Sequence, residues 1–491
     1  MARKRKELPE IHNVEITGIA AEGKAIAKIK LREEDETPIV VFIPFGAPGD
    51  IVDIKVDKKK NSYAEAHITK IIQPSPIRTL PKCDYFGVCG GCKWQHIPYI
   101  EQLTFKRQQV EDTLQRIGKV ELPEIPMTLG SENIWEYRNK MEYTFSDKRW
   151  KSWEELRGEK KGSEETNALG FHIPGSFDKV LHIDQCSLQC KLGDEIRNFI
   201  YNYALSNGFT FYDIKGNKGL LRTLMIRPAL SGEIMVCITF GEEDWDKMKD
   251  LMESIMKKFP MITTLAYVVN LKMNDSIADQ EIKIFHGPGF IEEKMGDLKF
   301  RISPKSFYQT NSRQAELLYK TAAEFAGFLD ENKDKKNKPI VYDLYTGAGT
   351  IANFIAKYAS KVIGIEYVED AIKDAKINSE INGITNTEFY SGDMKDVLKE
   401  EFIKKHGHPD IMIIDPPRAG MHEDVVKVIM NTSPEIIVYV SCNPSTQARD
   451  LSLLNPLYKV VKVRPVDMFP HTHHVENVVR LELRGEGSEN S

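Results

Sequence analysis

The rhythm of apolar and polar positions changes along the chain and divides it into three regions. From about 11 to 72, short alternating segments such as Val14-Glu15-Ile16, Ala25-Ile26-Ala27-Lys28-Ile29 and Ile51-Val52-Asp53-Ile54-Lys55-Val56 are broken by Gly23, Gly46 and Pro48-Gly49. Alternation interrupted by turn residues predicts a small all-β barrel. From 73 to 300, aromatics, cysteines and mixed α/β patterns follow, with a polar, charged insertion over 148–166 that reads as an exposed loop. The last region, 301–491, opens with a helical pattern over 314–328 and a charged loop over 331–338. Strand-like runs at 340–344, 362–365, 411–414, 436–440 and 478–483 then alternate with helical ones. That alternation predicts a largely parallel, doubly wound α/β sheet. The expected domains are therefore 1–72, 73–300 and 301–491.

Composition changes this picture little. Hydrophobic content of 41% and charged content of 28% describe a folded, soluble protein and exclude a wholly disordered one. No apolar run reaches the length of a membrane helix, and the basic start Met1-Ala2-Arg3-Lys4-Arg5-Lys6 is not followed by the apolar stretch of a secretory signal. A cytoplasmic protein without membrane contact is expected. With a net charge of -5, any nucleic-acid contact must come from local basic patches. The seven cysteines are too few and too clustered for a disulfide framework.

The third region carries the chemistry. Strand 340–344 runs into Tyr345-Thr346-Gly347-Ala348-Gly349-Thr350, where two glycines let the backbone turn tightly and approach a ligand. Glu366, Asp393 and Asp415 end the next strand-like segments, and a carboxylate at Glu366 can accept both hydroxyls of a ribose. The glycines alone also fit an ordinary βα turn or a dinucleotide site. Asp415-Pro416-Pro417-Arg418 discriminates better, because the two prolines stiffen the strand exit and leave a carboxylate and carbonyls to line a pocket. Cys442, in Ser441-Cys442-Asn443-Pro444, follows another strand, and Glu476 lies 34 positions downstream after a histidine-rich turn. A thiol and a carboxylate so delivered suit covalent attack on a ring followed by proton removal.

Together with Phe307-Tyr308-Gln309-Thr310-Asn311 and His474-Val475-Glu476, these motifs give residues 301–491 a resemblance to S-adenosylmethionine-dependent RNA (uracil-5-)-methyltransferases. The resemblance implies Cys442 as nucleophile, Glu476 as base, and Gln309, Tyr345, Thr350, Glu366, Asp393 and Asp415 around S-adenosyl-L-methionine. Thr350 stands where some members carry asparagine. Phe307 is a candidate for stacking on a base and equally a core aromatic.

Cys83-x5-Cys89-x2-Cys92, among Gly87, Gly90 and Gly91, forms a four-thiol set with either Cys186 or Cys190. Spacing alone fits a structural zinc site as well as an iron–sulfur cluster. The resemblance, to the cluster-bearing branch of the family, implies a 4Fe-4S cluster on Cys83, Cys89, Cys92 and Cys186. Cys237, within a strand-like run, reads as a core residue. Thr17-Gly18-Ile19-Ala20-Ala21-Glu22-Gly23-Lys24-Ala25 resembles a TRAM domain, an RNA-binding barrel, with Lys55, Lys58, Lys59 and Lys60 available for phosphates or simply solvated. Tyr137-Arg138-Asn139-Lys140 resembles a family segment read as substrate-facing or as a structural cap. The combined architecture resembles enzymes acting on 23S ribosomal RNA, and no obligate protein partner is implied. A methylthiotransferase, a dehydrogenase, a non-catalytic RNA-binding iron–sulfur protein and a metal site on His471, His473, His474 and Glu476 each leave part of this pattern unexplained.

Overall fold

The structure, a computed structural model, describes residues 8–31, 36–158, 164–330 and 337–485. The basic start and parts of both charged loops, 159–163 and 331–336, lie outside the described residues. The catalytic sheet contains β1 (Ile340–Leu344), β2 (Lys361–Glu366), β3 (Thr387–Ser391), β4 (Ile411–Ile414), β5 (Ile436–Ser441), β6 (Tyr458–Val466) and β7 (Glu476–Leu483). Their spatial order is β3-β2-β1-β4-β5-β7-β6. The first five are parallel, joined by helices that include Thr350–Ile355, Glu369–Ile381 and Glu423–Thr432. Parallel strands covered on both faces have no solvent side, so β4 reads Ile-Met-Ile-Ile with every residue buried.

The expected run over 478–483 is a strand, but it does not extend the parallel series. It forms β7, antiparallel to both β5 and β6. The connection over 467–475 is too short for the crossover that a parallel pair needs, so the chain turns back as a hairpin. Strand β6 has no counterpart among the expected runs because Lys459, Lys462 and Arg464 interrupt the continuous apolar stretch that marks the buried strands of this region. The helix expected over 314–328 runs Ser312–Phe325, capped by the Asn311 side chain on the Gln314 N–H.

A second seven-stranded sheet occupies the middle of the chain, with Met141–Ser146 and Leu221–Pro228 at its centre. One face packs under helices Lys191–Ser206 and Trp245–Lys258, burying Ile196, Ile200, Leu251 and Ile255. The other face, through Met225, Met235, Cys237 and Val268, shares a core with Leu318 and Tyr319 of helix Ser312–Phe325. Cys237 is thus a core residue. The insertion read as an exposed loop is partly docked: Arg149 bridges to Val180 and its guanidinium reaches Glu155, so charge pairing holds its start against the sheet. The N-terminal strands, from Glu10–Glu15 to Tyr63–Gln73, form one six-stranded sheet around Val14, Val41, Val52, Ile54 and Ala64. No helix among the described residues is long and apolar enough to cross a membrane.

Helix Tyr99–Thr113 fastens these parts together. Its Lys106 ammonium lies 2.6 Å from Asp467, just past β6, and both side chains are 0% exposed. Lys106 also donates to the Phe469 carbonyl, and Asp467 accepts the Phe469 N–H. Removing one partner of such a pair strands a buried charge. Lys106→Met is therefore expected to cost about 3–5 kcal/mol, and adding Asp467→Asn should recover a large part of it, read from urea denaturation midpoints.

Candidate active site

Every parallel strand of the catalytic sheet ends at one edge, and five of the expected residues follow those ends: Tyr345, Glu366, Asp393, Asp415 and Cys442. Strand β7 runs the other way, so its first residue, Glu476, arrives at the same edge. The β5–β7 ladder pairs Val440 with Val478 and Ser441 with Asn477, and one step further sets Cys442 opposite Glu476. Below them the Gln447 amide donates to the Tyr439 and Asn477 carbonyls, locking the two strands in register.

The turn after β1 is strained in a useful way. Tyr345 has φ +64°, a left-handed conformation that costs a non-glycine residue about 1–2 kcal/mol. Gly349, at φ +74°, caps helix Thr350–Ile355, and a Cβ there would meet Ala375 Cβ at 2.9 Å. Glu366 is held by the Gly347 and Val368 N–H groups at 3.2 and 3.0 Å, one on each carboxylate oxygen. The Thr350 hydroxyl meets Tyr319 at 3.1 Å. Asp393 caps the short helix Met394–Val397 and pairs with Lys395. Gln309 is buried, its carbonyl accepting from the Asn139 amide, whereas Phe307 is 70% exposed and is not a core aromatic.

The electrostatics of the edge are acidic. Burial pushes Glu476 up to about 8, with Asp415 adding to the rise and Arg418 opposing it. Burial also pushes Asp415 up to about 7. The Cys442 thiol rises to about 11, through burial and then the charges of Glu476 and Asp415, again opposed by Arg418. The sequence reading passed over Asp343, which is fully buried, accepts from Thr346 at 2.5 Å, and is pushed up to about 7 by burial. It stands within β1, two residues before the glycine turn, with no local mark to set it apart from the buried strand around it. Asp343, Asp415 and Glu476 thus share a buried setting that opposes their ionisation. The histidines are neutral, since burial lowers His471 and His473 to about 4 and His474 to about 3.

Cys83, Cys89, Cys92 and Cys186 line a single cavity of about 530 Å³, together with Arg138, Lys140 and other residues, whereas Cys190 does not line it. Hydrogen bonds brace the cysteine loop: the Gln95 side chain accepts the Cys83 N–H at 3.0 Å, and the Phe86 and Cys89 N–H groups donate to the Cys83 and Tyr85 carbonyls, each at 3.0 Å. Burial raises all four thiols, Cys92 to about 12 and Cys186 to about 11. Gly90 has φ +79°, and a Cβ there would collide with Pro174 at 2.7 Å. Among the described residues, no group of three or more His, Cys, Asp or Glu is arranged to hold a single metal ion.

The Tyr137-Arg138-Asn139-Lys140 segment is only partly substrate-facing. Tyr137 and Asn139 are buried, donating to the Pro470 carbonyl and to Gln309 and Ser312. Alternation along an extended segment turns Arg138 and Lys140 to the cysteine cavity instead.

This strand order, glycine turn and row of strand-end carboxylates define an α/β fold of the S-adenosylmethionine-dependent methyltransferase class. The profile of the tRNA (Uracil-5-)-methyltransferase family matches residues 230–484, and that of the TRAM domain matches residues 5–69. The chain belongs to the RNA uracil-5-methyltransferase family. It is 54% identical over 469 residues to an uncharacterized RNA methyltransferase of Bacteroides thetaiotaomicron, covering 95% of this chain and 100% of the relative. A Porphyromonas gingivalis uncharacterized RNA methyltransferase is also 54% identical, over 475 residues, with 95% and 99% covered. The crystal structure of Pyrococcus abyssi tRNA (uracil-54, C5)-methyltransferase in complex with S-adenosyl-L-homocysteine is similar at a TM-score of 0.71 and 28% identity, covering 96% of this chain and 100% of that one.

A raised thiol reacts with alkylating agents only through its small thiolate fraction. Alkylation of Cys442 by iodoacetamide, followed by mass spectrometry of its peptide, should accelerate about tenfold per pH unit across the neutral range. Arg418→Gln removes the opposing cation and should slow the reaction at every pH below the thiol's pKa. Glu476→Gln removes a like charge and should speed it above about pH 8, where the carboxyl is ionised.

Proposed function

We propose that the protein methylates C5 of a uridine in RNA, with Cys442 as nucleophile and Glu476 as base. The observation that carries this reading is the β5–β7 register, which opposes the two side chains at the ligand edge of the sheet. Uracil C5 is too weak a nucleophile to take a methyl group unaided. The Cys442 thiolate adds to C6, and the electron pair that leaves the C5–C6 double bond forms the enolate. C5 takes the methyl group from the sulfonium, whose bonding pair stays with sulfur and leaves S-adenosyl-L-homocysteine. Glu476 then removes the C5 proton, the C5–C6 double bond re-forms, and Cys442 departs as thiolate. The balance is one methyl group transferred and one proton released.

Gln309, Tyr345, Thr350, Glu366, Asp393 and Asp415 would surround the methyl donor, with free lone pairs of Glu366 directed to ribose hydroxyls. The donor's positive charge suits the acidic edge and would lower the pKa values of Asp415 and Glu476, favouring the ionised base.

The four cavity cysteines, Cys83, Cys89, Cys92 and Cys186, would hold a 4Fe-4S cluster. Thiols with raised pKa values need a bound cation to stay ionised, and the cavity has room for more than one ion. The cluster would cross-link the loop; no step of methyl transfer runs through it. By architecture we favour 23S ribosomal RNA as substrate, while the full-length likeness to a tRNA methyltransferase supports transfer RNA as the second reading.

RNA carrying 5-fluorouridine at the target should form a stable adduct with the protein, absent in Cys442→Ala, because fluorine cannot leave as a proton does. On natural RNA, Glu476→Gln should accumulate a methylated covalent complex, and release at the wild-type rate would remove Glu476 as base. Mapping 5-methyluridine in 23S and transfer RNA from cells with and without the gene assigns the target. Anaerobically purified protein should be brown with about four irons per chain. Replacing Cys186 should lower that content more than replacing Cys190, and stoichiometric zinc without iron would contradict the cluster.

A further inference from the structure

His471, five positions before Glu476, is held more tightly than any catalytic role of its own requires. Its φ is +66°, its ring stacks on Trp135 with centroids 3.8 Å apart, and its neutral imidazole is buried. The Gln102 side chain, fully buried on helix Tyr99–Thr113, grips it twice. Gln102 Oε1 accepts the His471 N–H at 2.8 Å, and Nε2 lies 3.2 Å from His471 Nδ1. The same Nε2 donates to the Trp94 and Ile97 carbonyls at 3.1 and 2.8 Å. The Lys93 and Trp94 N–H groups both donate to the His471 carbonyl, at 2.9 and 3.0 Å. A left-handed conformation in a non-glycine residue persists only when its surroundings over-determine it, and such strain collects at functional sites.

What the clamp fixes is the exit of the loop over 467–475. Four residues lead from His471 to Glu476 at the start of β7, and within them the Thr472 hydroxyl donates to the Phe469 carbonyl at 2.8 Å and accepts the His474 N–H at 3.3 Å, so the turn carries the direction set at His471 on to the carboxylate. We propose that Gln102 is a positioning residue for methyl transfer, holding His471 so that Glu476 meets the C5 proton. The inference rests on the reading of Glu476 as base. It also draws two distant parts into base placement. Lys93 and Trp94 directly follow Cys92, and the Trp94 indole donates to the Gly23 carbonyl of the N-terminal sheet at 3.0 Å. A Cβ on Gly23 would lie 2.7 Å from His473 Cβ, so that sheet abuts the same turn.

The test uses the full-length, cluster-loaded protein. Gln102→Met keeps the side chain's bulk and removes every hydrogen bond that the Gln102 side chain makes in the clamp. Formation of the 5-fluorouridine adduct, which needs Cys442 but not the base, should stay within about twofold of wild type, while release of methylated natural RNA slows by about tenfold or more. A methylated covalent complex should accumulate. Adduct formation and release slowed by one common factor, or release left unchanged, would overturn the inference. Glu476→Gln is run beside it: if that variant fails to stall, the base assignment falls, and if it stalls while Gln102→Met does not, only the role of Gln102 falls. Should Gln102→Met fail to fold, His471→Asn and His471→Val replace it. Asparagine tolerates the left-handed turn and keeps an acceptor for Gln102, whereas valine does neither. Val should stall and Asn much less, and equal behaviour would refute the clamp.

Discussion

The ion pair between Lys106 and Asp467 is the constraint on which the rest hangs. Two charges taken wholly out of water are tolerable only when paired, and here the 2.6 Å contact is joined by the Phe469 carbonyl on Lys106 and the Phe469 N–H on Asp467 Oδ1, while Asp467 Oδ2 has no hydrogen-bond partner among the described residues. That requirement leaves helix Tyr99–Thr113 one place to sit relative to the end of β6. Once it is seated, Gln102, one helical turn before Lys106, faces the histidine turn, and Trp94, just upstream, meets the N-terminal sheet. The pair thus sets the relation between the RNA-binding type of barrel, the cysteine loop and the catalytic edge.

The strand-end edge of the sheet opposes ionisation of its own thiol. Burial and two neighbouring carboxyl groups oppose ionisation of Cys442, and the same burial opposes ionisation of Glu476. Arg418 acts as a cation on both, its carbonyl accepting from Asn443 and Thr446. A positively charged methyl donor bound at this edge would add counter-charge and favour the ionised forms of both groups.

Strand ends were legible in the sequence because buried parallel strands are apolar throughout and ligand residues follow them directly. Tyr345, Glu366, Asp393, Asp415 and Cys442 all stood at such breaks. The convergence of Cys83, Cys89 and Cys92 with Cys186, rather than Cys190, was a matter of resemblance, since only the folded chain brings the loop after His182 to the first three thiols. What was not legible depends on long-range packing. Nothing local marks Gln102 as the partner of His471, 369 positions away, or turns Asn139 inward to the Gln309 carbonyl. The backward direction of β7 was hidden for the same reason, because a strand's own residues do not declare which neighbour it will choose.

That backward strand carries a consequence for how the sequence can change. Cys442 and Glu476 are matched by a ladder and by the turn over 467–475 that feeds it, not by the chain before β6, so residues may be gained or lost after helix Pro444–Leu454 without parting the two. A single residue gained or lost within β7 is another matter. It would flip the strand's faces and bring Val475 or Asn477 to the thiol, leaving a fold that looks intact and has no carboxylate opposite Cys442. Natural variation in length should therefore gather in the helix–strand connection and stop at the strand itself.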